Sequence, residues 1–239
     1  MTVEVEEASH SELPPSSSDK WFHCHAWRRQ VAGIEDTSSA AAEKGTLAHE
    51  WLSEHLLGRR ELSTLNNEEM FDYLMSCVDW VKEQPGELHV EVKVDFGAAF
   101  GFVDLTGTSD LIFVDDDHIT VGDLKYGRQP VEVEENLQML TYLVGAVHRF
   151  GQRPSYRLVI LQPRPFHVDG PIREWTISNE DFLEFRAKLE KAIEGNYNPR
   201  SKHTTGDHCR KFCKGLGTCP AAKKHSLSLL AQYPMDEDD

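Results

Sequence analysis

The chain has 239 residues, 39% of them hydrophobic, with a formal net charge of -15, which suits one globular domain with a real core. No apolar run approaches the ~20 residues of a bilayer-spanning helix, so membrane insertion is not expected. The acid excess speaks against a nucleic-acid ligand until its distribution is considered. Glu4, Glu6, Glu7 and Glu12 stand without Lys or Arg in residues 1–18, and Asp236, Glu237, Asp238 and Asp239 end the chain. Both ends, 1–18 and 226–239, read as disordered acidic tails around one domain over 19–225.

In chain order, Ser16-Ser17-Ser18-Asp19 offers a cap for a helix over 20–29 that carries Cys24. Residues 38–57 read as helical, stopped by Gly58, and residues 67–84 form another helix, closed by Pro85-Gly86. Residues 88–96 alternate as a strand, with Val90, Val92 and Val94 on one face and Glu91, Lys93 and Asp95 on the other. Two strand-like runs, 108–114 and 118–125, flank the polar turn Asp115-Asp116-Asp117 and read as a β-hairpin. A helix over 131–150, an apolar strand over 156–161, a strand over 173–177 and a helix over 179–194 capped at Ser178 complete an α/β order.

The hairpin carries the chemistry. Side chains at i and i+2 share a strand face, so Asp123 and Lys125 point together, and antiparallel pairing brings Asp110 beside them. Two carboxylates and an ammonium then converge. Oxygen ligands hold Mg²⁺ or Mn²⁺, and a lysine beside them orients the attacking water or stabilises the phosphorus centre. The competing reading is a solvated strand edge. Glu91 stands open in the same way, between a residue turned toward the metal and one facing solvent.

The hairpin and its flanks resemble the PD-(D/E)XK nuclease superfamily, in its RecB-like exonuclease branch. Lys44-Gly45-Thr46-Leu47-Ala48-His49-Glu50-Trp51 looks like the branch's upstream histidine motif. Glu135-Asn136-Leu137-Gln138-Met139-Leu140-Thr141-Tyr142 looks like its downstream glutamine and tyrosine, which share one helix face. The resemblance implies a restriction-endonuclease-like α/β fold, a central mixed sheet flanked by helices. It implies His49, Asp110, Asp123 and the Leu124 carbonyl as metal ligands, Lys125 acting on the nucleophilic water, and Gln138 and Tyr142 positioning the scissile phosphate. An acid on the preceding strand, here Glu91, is frequent in the branch.

Cys24 before the core and Cys209, Cys213 and Cys219 after it resemble the iron–sulfur staple of this branch, as in AddB-type nuclease domains and the CRISPR-associated adaptation exonuclease. The resemblance implies a [4Fe-4S] cluster. By chemistry alone, Zn²⁺ held with His23, His25 or His208 stays open. An odd count of five cysteines and a start that does not read as a signal peptide favour a metal over disulfides, and the chain is expected to be cytoplasmic, in a bacterium or phage-infected cell. Cys77 reads as a buried helix residue. Arg200, Lys202, Arg210, Lys211, Lys214, Lys223 and Lys224 face only Asp207 within 200–225, a basic island where Arg210, Lys211 and Lys214 offer DNA a phosphate track. The expected function is a metal-dependent DNA exonuclease acting on single-stranded or frayed ends in repair, recombination or phage DNA metabolism. The alternatives are a DNA-binding adaptor on a retired nuclease core and a zinc-stapled regulatory protein.

Overall fold

The computed structural model describes residues 11–35, 40–210 and 213–231. Most of both acidic tails, the expected helix start at Ser38, and Lys211 lie outside the described residues. In chain order the elements are α1 (Ser18–His23), α2 (Trp27–Val31), α3 (Ala40–Leu56), α4 (Glu68–Lys82), β1 (Glu87–Asp95), β2 (Thr106–Val114), β3 (His118–Leu124), α5 (Leu137–Phe150), β4 (Ser155–Leu161), β5 (Ile172–Ser178), α6 (Asn179–Tyr197), α7 (Asp207–Arg210) and α8 (Pro220–Leu230). Within the expected N-terminal tail, Leu13 is fully buried and Pro15–Ser17 form a 3-10 turn. Among the described residues no helix is long and apolar enough to cross a membrane.

The chain divides into two compact units, Met1–Pro15 with Ser38–Arg186, and Ser16–Thr37 with Ala187–Asp239. The first holds a five-stranded mixed sheet in the order β1-β2-β3-β4-β5, flanked by helices as the α/β reading expects. Only β3 and β4 run parallel, and a parallel pair needs a crossover, which α5 supplies. β3 is buried at six of its seven positions, as a strand covered on both faces should be.

One sheet face, with Leu111, Phe113, Leu124, Tyr126, Val159 and Leu161, packs against Leu52 of α3 and Met70, Leu74, Cys77 and Val78 of α4. Each such side chain contributes roughly 1.5–3 kcal/mol when fully buried. Asn67 caps α4 by accepting from the Met70 N–H at 3.0 Å, and Met70, Leu74, Cys77, Val78 and Val81 follow at helical spacing. The opposite face receives α5, buried without interruption from Met139 to Val147. Gly145 permits this closeness: a Cβ there would lie 2.8 Å from the Val94 Cβ.

Two expected helices are corrected. The helix placed over 131–150 begins at Leu137, because the Asn136 side chain accepts from the Gln138 and Met139 N–H groups and sets the N-cap there. The helix placed over 20–29 is two helices, with Cys24 extended at φ -124° and ψ 95° between them. On a continuous helix Trp21 and Trp27 would point about 120° apart. The break lets both be buried, at 0% and 5% exposure.

In the second unit, side chains tie the two segments. Asn196 Nδ2 donates to the Trp21 carbonyl at 2.7 Å. Gln30 Nε2 donates to the Gly215 carbonyl and to Thr218 Oγ1, and Thr204 Oγ1 to the His23 carbonyl. Arg29 donates to the carbonyls of Pro199 and Ser201.

Candidate active site

Three carboxylates form a row across three adjacent strands. The β1–β2 register runs Val90 to Leu111 and Val92 to Ser109, which sets Glu91 opposite Asp110. Extending the β2–β3 register one step beyond Leu111 to Gly122 sets Asp110 opposite Asp123. Like charges directly opposite destabilise a sheet. The backbone is also strained here: Glu91 sits at φ 51° in the middle of a strand, a conformation that persists only where the surroundings impose it. His49 on α3 closes the group, its Nδ1 3.1 Å from Asp110 Oδ1. Ligand atoms of His49, Glu91 and Asp110 all lie within 4.8 Å of one another.

The other sequence-predicted residues of the first unit adjoin this row. Lys125 Nζ is 2.8 Å from Asp123 Oδ2 and donates to Gln138 Oε1 at 2.9 Å. Gln138 Nε2 donates to Asp123 Oδ1 and to Tyr142 Oη at 3.1 and 3.2 Å. One amide thus bridges the acid, the lysine and the phenol, a linking role that the helix spacing alone did not reveal. Gly107 leaves room for the phenol, since a Cβ there would come within 2.8 Å of the Tyr142 ring. Leu124 presents its N–H to Asp110 Oδ2 at 2.7 Å, fixing that carboxylate from the backbone.

Electrostatics follow from burial. Asp123 is 2% exposed, and burial, reinforced by the Asp110 charge, raises its pKa against the pull of Lys125. Burial and Asp110 also raise Glu91. Burial opposes a charge on His49, but the hydrogen bond to Asp110 and the charges of Asp110 and Asp123 outweigh it and raise its pKa. Burial and the Asp123 charge push Tyr142 upward, so it stays a phenol.

The three raised groups His49, Glu91 and Asp123 act with one sign. Each binds its proton more tightly folded than unfolded, so its contribution to stability is lost as pH rises, from the ordinary carboxylate range near ~4 and, for His49, from about 6.5. A divalent cation displaces those protons. The stabilisation on adding Mn²⁺ to chelator-treated protein, read as a rise in Tm, is therefore larger at pH 8 than at pH 5, and amounts to about 2.7 kcal/mol at a hundredfold excess over Kd. Thermal melts at the two pH values check this, and a Tm indifferent to Mn²⁺ at pH 8 would count against a cation site.

Residues 10–238 match the model of a family described as a protein of unknown function, DUF2800. The chain belongs to the DUF2800 family. Among solved structures, the protein SSO0001 is similar to this DUF2800 chain at 18% identity and a TM-score of 0.41, over 87% of this chain and 85% of that one. An alkaline exonuclease from Laribacter hongkongensis is similar at 14% identity and a TM-score of 0.36, over 80% and 93%.

The remaining predicted residues lie in the second unit. Cys24, Cys209, Cys213 and Cys219 are free of disulfides. Burial, joined by the charges of Cys213, Cys24 and Cys219, raises the Cys209 pKa. The structure does not show the expected four-cysteine staple: among the described residues no three of the cysteines bring their Sγ atoms within 4.8 Å of one another. His208, next to Cys209, has its Nε2 buried without a hydrogen-bond partner, 5.7 Å ring to ring from His23. Cys77, fully buried in the first unit, has its thiol pushed up to about 12 by burial and is inert at neutral pH. Of the predicted DNA-binding residues, Lys214 is exposed, while Lys211 and the Arg210 side chain are outside the described residues.

Proposed function

We propose that the chain is a divalent-metal-dependent deoxyribonuclease of the RecB-like PD-(D/E)XK kind, an exonuclease on single-stranded or frayed DNA ends in repair, recombination or phage DNA metabolism. The observation that carries this is the row Glu91, Asp110 and Asp123 on adjacent strands, like charges whose repulsion a bound divalent cation would relieve. The donor set fits: Asp123 Oδ2 is buried and meets the Lys125 ammonium at 2.8 Å, so this carboxylate is already aimed at positive charge. Carboxylates with one imidazole suit Mn²⁺ or Mg²⁺.

His49, Glu91, Asp110, Asp123 and the Leu124 carbonyl would hold the ion. Once bound, it would neutralise the phosphate and acidify a water. Lys125 has three ammonium donors; Gln138 takes one and the Asp123 pair sets their direction, leaving a donor for the attacking water or a phosphate oxygen. Gln138 fixes Lys125, and the Tyr142 phenol offers a hydrogen bond toward the phosphate. Arg210, Lys211 and Lys214 would contact DNA phosphates.

End-labelled single- and double-stranded oligonucleotides incubated with Mn²⁺, Mg²⁺ or EDTA test the reading. The expected result is metal-dependent shortening from an end; intact DNA with both metals overturns it.

In the second unit, Cys24, Cys209, Cys213 and Cys219 would hold a [4Fe-4S] cluster. The buried, unpartnered His208 Nε2 beside Cys209 supports Zn²⁺ in a mixed cysteine–histidine site as the second reading. Either would suit a cytoplasmic protein of a bacterium or phage-infected cell.

A further inference from the structure

Beyond the residues that face the metal row, we infer that Gln162 and Arg173 are positioning residues for Lys125, an assignment that rests on the nuclease reading above. The β3–β4 register pairs Asp123 with Ile160 and Leu124 with Leu161, and the Lys125 N–H donates to the Leu161 carbonyl at 2.9 Å. One step further along, Gln162 lies beside Lys125. From there the chain leaves the sheet through residues 127–130, all exposed, before Asn136 caps the helix that carries Gln138.

Gln162 is fully buried and gives every hydrogen-bonding site of its amide to this segment or to Arg173. Its Nε2 donates to the carbonyls of Gly127 and Gln129 at 3.1 and 2.8 Å. Its Oε1 accepts from the Val131 N–H at 2.9 Å and from Arg173 Nη2 at 2.7 Å. Arg173, 3% exposed, donates from Nε and Nη2 to the Val131 carbonyl and from Nη1 to the Gly170 carbonyl. Among the described residues no carboxylate lies within ion-pair distance of it; Glu132 and Asp169 act on it only through space.

A buried guanidinium met by neutral carbonyls is costly, and an apolar side chain of its size often serves stability as well or better. What no apolar side chain supplies is a rigid planar fork aimed at fixed carbonyls. The pair therefore holds the 127–131 backbone in one conformation and, through it, the distance from Lys125 to Gln138. Displacing a reacting group by about 1 Å costs on the order of a hundredfold in rate.

Gln162→Glu separates positioning from folding. Its carboxylate keeps the contacts to Val131 and Arg173 and neutralises the guanidinium, but cannot donate to Gly127 or Gln129. The expected result is an unchanged or higher Tm, faster amide exchange at 127–131, and a kcat roughly ten- to a hundredfold lower at an essentially unchanged KM for DNA. Arg173→Lys, which keeps charge and loses the fork, lowers kcat in the same way. Both variants cleaving at the parental kcat, or losing activity only in step with Tm, overturns the positioning role alone. A parent chain that cleaves with neither metal overturns the nuclease reading and this role together, whatever the exchange measurement gives.

Discussion

Asp123→Asn loses metal-dependent cleavage by on the order of a thousandfold, the scale of removing one preorganised electrostatic contact, yet without metal it melts no lower than the parent. The asymmetry follows from the state of this carboxylate. It is buried beside Asp110, which raises its pKa against the pull of Lys125, so its charge is a strain on the metal-free fold. Asparagine keeps the shape and an oxygen for Gln138 Nε2. Lys125 loses an ion pair but keeps Gln138 and partial exposure. Asp110→Ala loses activity as fully, but it also strips the Leu124 N–H and His49 of their acceptor, so its Tm falls. Cleavage assays and melts on the same purified variants decide the matter. Cleavage by Asp123→Asn at the parental rate would remove the row from the active site.

The hairpin was legible because its signals are local. Alternating strands around Asp115-Asp116-Asp117 became β2 and β3, and the i, i+2 rule set Asp123 beside Lys125 on one face. Glu91 was not legible in the same way. Alternation leaves its direction open, whereas the β1–β2 register and the left-handed backbone at φ 51° turn it toward Asp110. Val131 was misread as helix because helical composition extends past the true start; the Asn136 cap and the pull of Gln162 and Arg173 decide the boundary, and both depend on tertiary contacts. Gln162 and Arg173 themselves carry no motif. Likewise Asn196 and Gln30, which tie the segments of the second unit, lie more than 160 residues from their partners, beyond any local pattern. The sequence assigned that tether to the cysteines alone.

Those ties reshape what the cysteine variants should do. Cys24 and Cys219 lie 195 positions apart in the chain, and a cluster joining them would close a very long loop. Replacing any one of Cys24, Cys209, Cys213 or Cys219 by Ser should therefore bleach the brown absorbance near ~400 nm of anaerobically prepared protein and release its iron. Cys77→Ser should keep the colour, because that thiol is buried in the first unit with its pKa pushed to about 12. Unfolding of the second unit need not follow from the bleaching, since Asn196, Gln30, Arg29 and Thr204 still hold its two segments. Asn196→Ala removes partners from the buried Trp21 carbonyl and the Arg28 N–H and should destabilise by about 1–3 kcal/mol, read as a lower Tm, while the colour persists. Iron and zinc analysis with the melts separates the two readings. A colourless anaerobic protein with one zinc per chain, lost on His208→Ala, overturns the iron–sulfur assignment and leaves the row of carboxylates, in the other unit, untouched.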